Sequence, residues 1–315
     1  MKKIKQIGII LLLTFLTIGC SENFDIKRQY NSFNNDLERD NLFGKVKTVD
    51  LRKADINSDK LDECILVSKT EYTNFWDISY QEFFDNFGKL QQWTKCEFYK
   101  NKKVKTVSEN LNLNSKMIET YRLDNKNRYI SAKGKYDTVG FSAKFKYDSL
   151  DNIIKLVSIQ ANDTSISFID YKYDQQEKIL KKKQYTKAED GQNENMIINE
   201  YKYDSSGNLI TTTSKSEFIG EEKSLYEYDN QSRIRIIKQY QNGLIEKETE
   251  FDKYYNPILI KYYSTGNIEK EIKYAYSFDN KRNWIERKAY LKQIFASSNK
   301  FIPIYMEQRI ITYYE

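Results

Sequence analysis

Apolar or aromatic positions alternate with polar ones over most of the chain. Over residues 267–276, Ile268, Lys270, Ile272, Tyr274 and Tyr276 share one side, while Glu269, Glu271, Lys273 and Ala275 share the other. Phe141, Ala143, Phe145 and Tyr147 repeat the pattern against Ser142, Lys144 and Lys146. A period of two predicts strands with one face that must be covered. Two kinds of turn separate these runs. Asp190-Gly191, Ile219-Gly220, Asn242-Gly243 and Thr265-Gly266 supply the positive φ of tight hairpins. Alternating with them are polar loops that open on Asp, as in Tyr201-Lys202-Tyr203-Asp204-Ser205-Ser206-Gly207-Asn208-Leu209-Ile210. There the carboxylate can accept backbone N–H bonds two residues on, while Gly207, or Gly88 in an earlier copy, tolerates positive φ.

The Asp loops recur. Phe145-Lys146-Tyr147-Asp148, Tyr171-Lys172-Tyr173-Asp174, Tyr201-Lys202-Tyr203-Asp204, Tyr226-Glu227-Tyr228-Asp229 and Tyr276-Ser277-Phe278-Asp279 share one tetrad, and weaker copies end at Asp85, Asp124 and Asp252. In order, the eight aspartates stand 39, 24, 26, 30, 25, 23 and 27 residues apart. Each period holds two strands of roughly 8 to 11 residues, which is one hairpin. The expected fold is all-β: an antiparallel meander of about eight repeated β-hairpins, coiled into an elongated, partly closed β-shell or solenoid-like sheet. Residues 42–49 read as the first strand and 302–314 as the last, with the less regular end units serving as caps. Residues 244–251 are polar on both sides and are expected to be solvated on both faces or near an edge. The periodic aspartates are given a structural role in turns.

These units resemble the YD-repeat, or Rhs-type, family, whose copies carry Tyr-x-Tyr-Asp-x-x-Gly-[Arg/Asn]-[Leu/Ile]. The resemblance covers about residues 80–290 and is nearly complete only at 201–209. Other copies lose the Gly, as at Asp148-Ser149-Leu150-Asp151-Asn152-Ile153, or carry Pro257 where the returning strand begins. In large members the repeats coil into a β-shell that encloses a toxin domain or contributes to surface adhesion and carbohydrate binding. With no terminal processing motif and no trailing toxin-like domain here, the resemblance implies a short, lipid-anchored version.

The amino terminus changes the picture from fold to address. Lys2, Lys3 and Lys5 precede an apolar run over 7–16, followed by Thr17-Ile18-Gly19-Cys20. This is the pattern of a signal peptide, and the run is shorter than the roughly 20 residues that span a bilayer. Its ending resembles a bacterial lipobox, with Thr17 where Leu is usual. The resemblance makes Cys20 the lipidated first residue of the mature chain; a cleaved signal followed by an ordinary Cys is the alternative. The domains follow as a signal peptide (1–19), a lipidated tether (20–41) rich in Asn and Asp, and a repeat domain (42–315). The expected location is the bacterial cell envelope, lipid-anchored, with Ser21 fitting export to the outer membrane.

Composition excludes more than it assigns. The 315 residues contain no His, which removes Ser-His-Asp and Cys-His catalysis and His-ligated zinc. Against 45 Asp+Glu stand 51 Lys+Arg, and without Lys2, Lys3 and Lys5 the balance is 48 to 45, too even for a nucleic-acid binder. With 26 Tyr and 17 Phe, much of the covered surface must come from rings.

Three candidate constellations remain. Asp55, Asn57, Asp59 and Asp62 place oxygens at spacings near those of a calcium loop, but Lys60 stands where Gly is needed, so a solvated acidic turn is the favoured reading. Cys64 and Cys96 suit two buried thiols somewhat better than a disulfide. Trp76, Trp93 and Trp284 can be weighed as a glycan-stacking platform or as core, and core is favoured. No catalytic residue and no cofactor is assigned. The chain is read as a non-enzymatic structural or binding module held to a membrane by its lipid, with a glycan or another envelope protein as partner. A glycan-binding adhesin and a carboxylate-based glycan enzyme are the alternatives.

Overall fold

The computed structural model describes residues 40–55, 64–160, 163–187, 193–294 and 300–315. Cys20, Asn57, Asp59, Asp62 and Asp190-Gly191 lie outside the described residues. Twenty strands and no helix are found among those described. They are β1 (Val46–Asp55), β2 (Ile65–Tyr72), β3 (Ile78–Phe84), β4 (Leu90–Tyr99), β5 (Lys102–Asn110), β6 (Ser115–Leu123), β7 (Tyr129–Tyr136), β8 (Val139–Tyr147), β9 (Ile153–Gln160) and β10 (Asp163–Tyr173). The second half holds β11 (Ile179–Lys187), β12 (Asn193–Tyr203), β13 (Leu209–Ser216), β14 (Gly220–Tyr228), β15 (Ile234–Gln241), β16 (Leu244–Phe251), β17 (Pro257–Ser264), β18 (Asn267–Phe278), β19 (Trp284–Gln293) and β20 (Ile302–Tyr313).

Each strand pairs antiparallel with its neighbours in sequence, and β1 pairs with β20 from Val46↔Tyr313 to Asp55↔Tyr305. The sheet is therefore a closed up-and-down barrel. Three expectations are corrected by that pairing. The sheet is fully closed, with twenty strands where about eight hairpins were expected. Its end units pair with each other and do not serve as caps. Residues 244–251 form β16, bonded on both sides to β15 and β17, with Glu248 and Thr249 buried, so they are not an edge. Closure removes every edge, and β16 carries its charges because Lys238 and Lys261 on the flanking strands take up Glu248.

One row of side chains faces inward and the alternate row outward. Residues 40–43 fix which is which. Asp40 accepts from the Tyr72 hydroxyl at 2.6 Å, and Asn41 donates to Asn256, next to the start of β17. Tyr72 and Asn256 are five strand spacings apart, roughly 24 Å of wall. Four residues span at most about 14 Å, so they cross as a chord on the concave side. Leu42 on this chord packs with Val46, Val49, Tyr72 and Ile78. Following register partners round the wall from Val49 and Thr70 places Thr106, Ala132, Ala143, Ile169, Tyr201, Tyr226, Ile237, Ile260 and Ala289 on this same inner, buried row. Many inner residues are small, as the concave side of a curved sheet demands. Among the described residues, backbone contacts join ladder neighbours, and the inner row is the one withdrawn from water, with Ala132, Ala143, Ile169 and Ala289 almost wholly buried.

Candidate functional site

The eight aspartates are corners. In each, one carboxylate oxygen accepts the N–H four residues on: Lys89, Arg128, Asn152, Lys178, Asn208, Arg233, Asn256 and Asn283. The Asp N–H in turn donates to the carbonyl of that same residue, and its own carbonyl accepts from the residue three on. That third residue has positive φ whether it is Gly88, Asn127, Asp151, Glu177, Gly207, Ser232, Tyr255 or Arg282. The geometry is a turn closed by a left-handed residue, with the register slip of a bulge just before it. The Asp side chain imposes this corner strongly enough that Gly is optional.

Counting strands between corners separates Asp85 from the rest. Two strands lie between successive corners from Asp124 to Asp279, but three lie between Asp85 and Asp124. Asp85 consequently sits on the opposite rim, which explains its 39-residue gap. A ninth corner escapes the Asp pattern: Thr73 Oγ1 accepts the Asp77 N–H at 3.2 Å and Trp76 takes the left-handed position with φ 74°. Tyr72 before Thr73 was the available signal.

Between corners runs a ladder of tyrosines. The hydroxyls of Tyr147, Tyr171, Tyr203, Tyr228 and Tyr276 donate to the carbonyls of Tyr129, Ile153, Ile179, Leu209 and Pro257. Every acceptor lies five residues after the preceding corner Asp. The repeated Tyr thus fastens each unit to the one before it, with its ring covering an inner cluster that includes Ile179, Tyr201, Leu209, Tyr226 and Ile234.

The corners are charged, and their charge is held. Hydrogen bonds from the Arg233 backbone and guanidinium push Asp229 down to about 2. The Arg128 N–H lowers Asp124, and the Asn208 amide lowers Asp204. A carboxyl whose folded pKa is depressed adds stability above its unfolded value near 3.9 and loses it as pH falls through the folded value. The unfolding temperature should therefore drop most steeply between pH about 4 and about 2, and Asp229→Asn should flatten that slope. Equal slopes in melts of the two proteins across this window would refute it.

A second cluster lies on the inner wall of β18, β19 and β20. The Arg287 guanidinium pairs with Glu307, and Tyr274 and Tyr305 stand on either side of fully buried Ala289 in the ladder. Arg309 stacks on Trp284 at 3.8 Å and donates to the Asp40 carbonyl. Burial pulls Arg309 down to about 10 and pushes Tyr276 up to about 12. This constellation binds the chord to the wall.

The three tryptophans are dispersed. Trp76 lies on the rim at a corner and is 42% exposed, Trp93 on the outward row of β4, and Trp284 is buried in the cluster just described. Cys64 and Cys96 are both buried and not disulfide-bonded, and Cys96 Sγ lies 4.0 Å from Thr106 Oγ1. Among the described residues no group of three or more Cys, Asp or Glu is placed to hold a metal. Of the calcium-loop residues only the Asp55 backbone, ending β1, is described. The inward carboxylates Glu119 and Glu307 stand on β6 and β20, and burial raises the pKa of Glu119. A groove of about 470 Å³ lies between the Asp174 and Asp204 corners, lined by Gln176, Lys178, Tyr203 and Ser206.

No family model and no curated protein matches the chain. Similar solved structures include a porin-like protein from Bacteroides uniformis ATCC 8492, at TM-score 0.34 and 11% identity over 85% of this chain and 96% of that one. The Photorhabdus luminescens Tc holotoxin pore (Mutation TccC3-D651A) is similar at TM-score 0.27 and 9% identity over 74% of this chain and 17% of that one. The TcdB2-TccC3-Cdc42 structure is similar at TM-score 0.30 and 10% identity over 82% of this chain and 19% of that one. At these levels the likenesses assign neither a relationship nor a function.

Proposed function

We propose that the chain is a bacterial envelope lipoprotein, held by a lipid on Cys20, whose YD-like β-barrel is a non-enzymatic structural or binding module. The charged outward row carries this reading. Lys144, Lys181, Glu200, Lys238, Glu248 and Lys261 occupy the outward face within their strands. A Lys on a lipid-facing wall costs roughly 2–4 kcal/mol at the bilayer midplane, so a barrel built this way stands in water and needs a separate anchor. Cys20 after its apolar run is the residue in the sequence suited to that. This reading gives the repeat no chemical role, and the corner carboxylates support it because each accepts a backbone N–H of its own turn. Catalysis requires unlike groups converging, and Glu119 and Glu307 are six strands apart.

The test is fatty-acid labelling in a bacterial host with mass mapping of the mature amino terminus. Diacylated Cys20 as the first residue, with label lost in Cys20→Ala, is expected. An unlabelled wild-type protein, or one whose mature chain starts elsewhere, would overturn the anchor.

A further inference from the structure

Across the outer wall of β14 to β19, opposite charges face each other: Lys238 meets Glu227, Lys261 meets Glu248 and Glu250, and Lys292 meets Glu271. The outward row of β7 to β10 breaks this rule. Lys146 lies directly opposite Lys155, and on the next hairpin Lys172 lies opposite Lys181. Like charges opposed across a ladder are destabilising, so a wall selected for its own stability would avoid them. Lys133, Lys144, Lys146 and Lys172 are exposed and have no carboxylate partner among the described residues; Lys181 is paired with Glu200. Asp170, opposite Lys183, is the acid on the outward row of β10.

These lysines surround an apolar patch. Val157 and Ile166 are register partners, Ile159 and Ile166 are 42% and 36% exposed, and Phe168 continues the row with its ring stacked on Tyr185. Lys144 flanks Val157 on one side, Lys155 sits over the Phe168 ring, and Lys183 lies over Tyr185 on the other. A soluble polyanion would be served by the charges alone. Exposed aliphatic side chains inside a basic ring fit a surface with anionic headgroups above acyl chains.

We infer that the outward face of β7 to β11 docks on a membrane surface rich in anionic lipid, laying the barrel on its side. This rests on the membrane attachment proposed above and adds the orientation. The five strands span roughly 20 Å of perimeter, a footprint narrow enough for a convex wall to touch a flat bilayer.

The mature lipidated protein is reconstituted on phosphatidylcholine vesicles and on vesicles that also contain phosphatidylglycerol, and amine acylation is mapped by mass spectrometry. Lys146, Lys155 and Lys172 should react at least about five-fold more slowly on the anionic vesicles, the effect expected of even one headgroup contact per lysine. Exposed Lys273 on β18 should react equally on both, and molar salt should abolish the difference. Lys146→Glu with Lys172→Glu should lose the protection while leaving the melting temperature unlowered, because each substitution relieves a like-charge pair. Equal reaction rates on both vesicles overturn the docking face. So does protection by dextran sulfate on phosphatidylcholine vesicles without protection by phosphatidylglycerol, which would assign a soluble polyanion. Failure to float with phosphatidylcholine vesicles overturns the lipid anchor instead; protection of the same lysines on anionic vesicles would still uphold the face.

Discussion

Asn283→Ala should lower the unfolding temperature by roughly 5–10 °C, more than any comparable change at the other corners. Asn283 is fully buried at the Asp279 corner. Its side-chain oxygen accepts the Phe43 N–H at 2.6 Å, and its amide donates to the Phe43 carbonyl at 2.8 Å and to the Tyr313 hydroxyl at 2.7 Å. Phe43 leads into β1 and Tyr313 ends β20, so this amide ties the seam to the neighbouring corner. Alanine would strand a backbone donor and a backbone acceptor, each costing about 1–3 kcal/mol where water cannot reach. At roughly 1.6 °C per kcal/mol for a chain of this size, the stated shift corresponds to about 3–6 kcal/mol, the upper part of the combined cost. Asn208 provides the control. It occupies the equivalent position after Asp204, but its amide bonds within its own corner and to Ser232. Asn208→Ala should cost about 1 kcal/mol or less. Equal losses in calorimetric melts of the two variants would mean that the seam is no weaker a point than any other hairpin junction.

The contrast between these two asparagines shows what the sequence makes legible. The corner is a local device: an Asp, a polar loop and a residue with positive φ all fall within five positions, so pattern alone locates eight of the nine and assigns their aspartates to turns. Strand faces are equally local, and Phe141, Ala143, Phe145 and Tyr147 do share the inward row. Closure is not local. Nothing near Val46 or Tyr313 announces that residues more than 260 positions apart will pair, because neither strand carries a complementary signature. The same limitation hid the role of the tyrosines, whose rings were readable as core but whose acceptors lie about 20 residues upstream in the previous unit. Asp85 was legible as a corner and illegible as to rim, since that depends on whether an odd or even number of strands follows. The lysine-ringed patch required register too: Lys146 and Lys155 become neighbours only through the β8–β9 ladder.

Leu209→Ala should cost about 2–5 kcal/mol, the range for removing a fully buried leucine without collapse of the site. Leu209 opens the strand after the most complete repeat and packs within the cluster of Ile179, Tyr201, Tyr226 and Ile234. Its carbonyl also receives the Tyr228 hydroxyl at 2.7 Å. The two contributions separate cleanly. Tyr228→Phe removes the hydroxyl and keeps the ring, so it should cost about 1 kcal/mol. Leu209→Ala keeps the carbonyl and empties the space beneath the rings. If the repeat is fastened mainly by apolar packing under the rim, the leucine change will exceed the tyrosine change by at least about two-fold in denaturant melts. If Tyr228→Phe proves the more damaging, the hydroxyl ladder is the principal fastening between units, and the clusters merely fill the space that the ladder leaves. The first outcome is expected, because a hydroxyl bonded near a wet rim exchanges one partner for water, whereas the space left by Leu209 has no replacement.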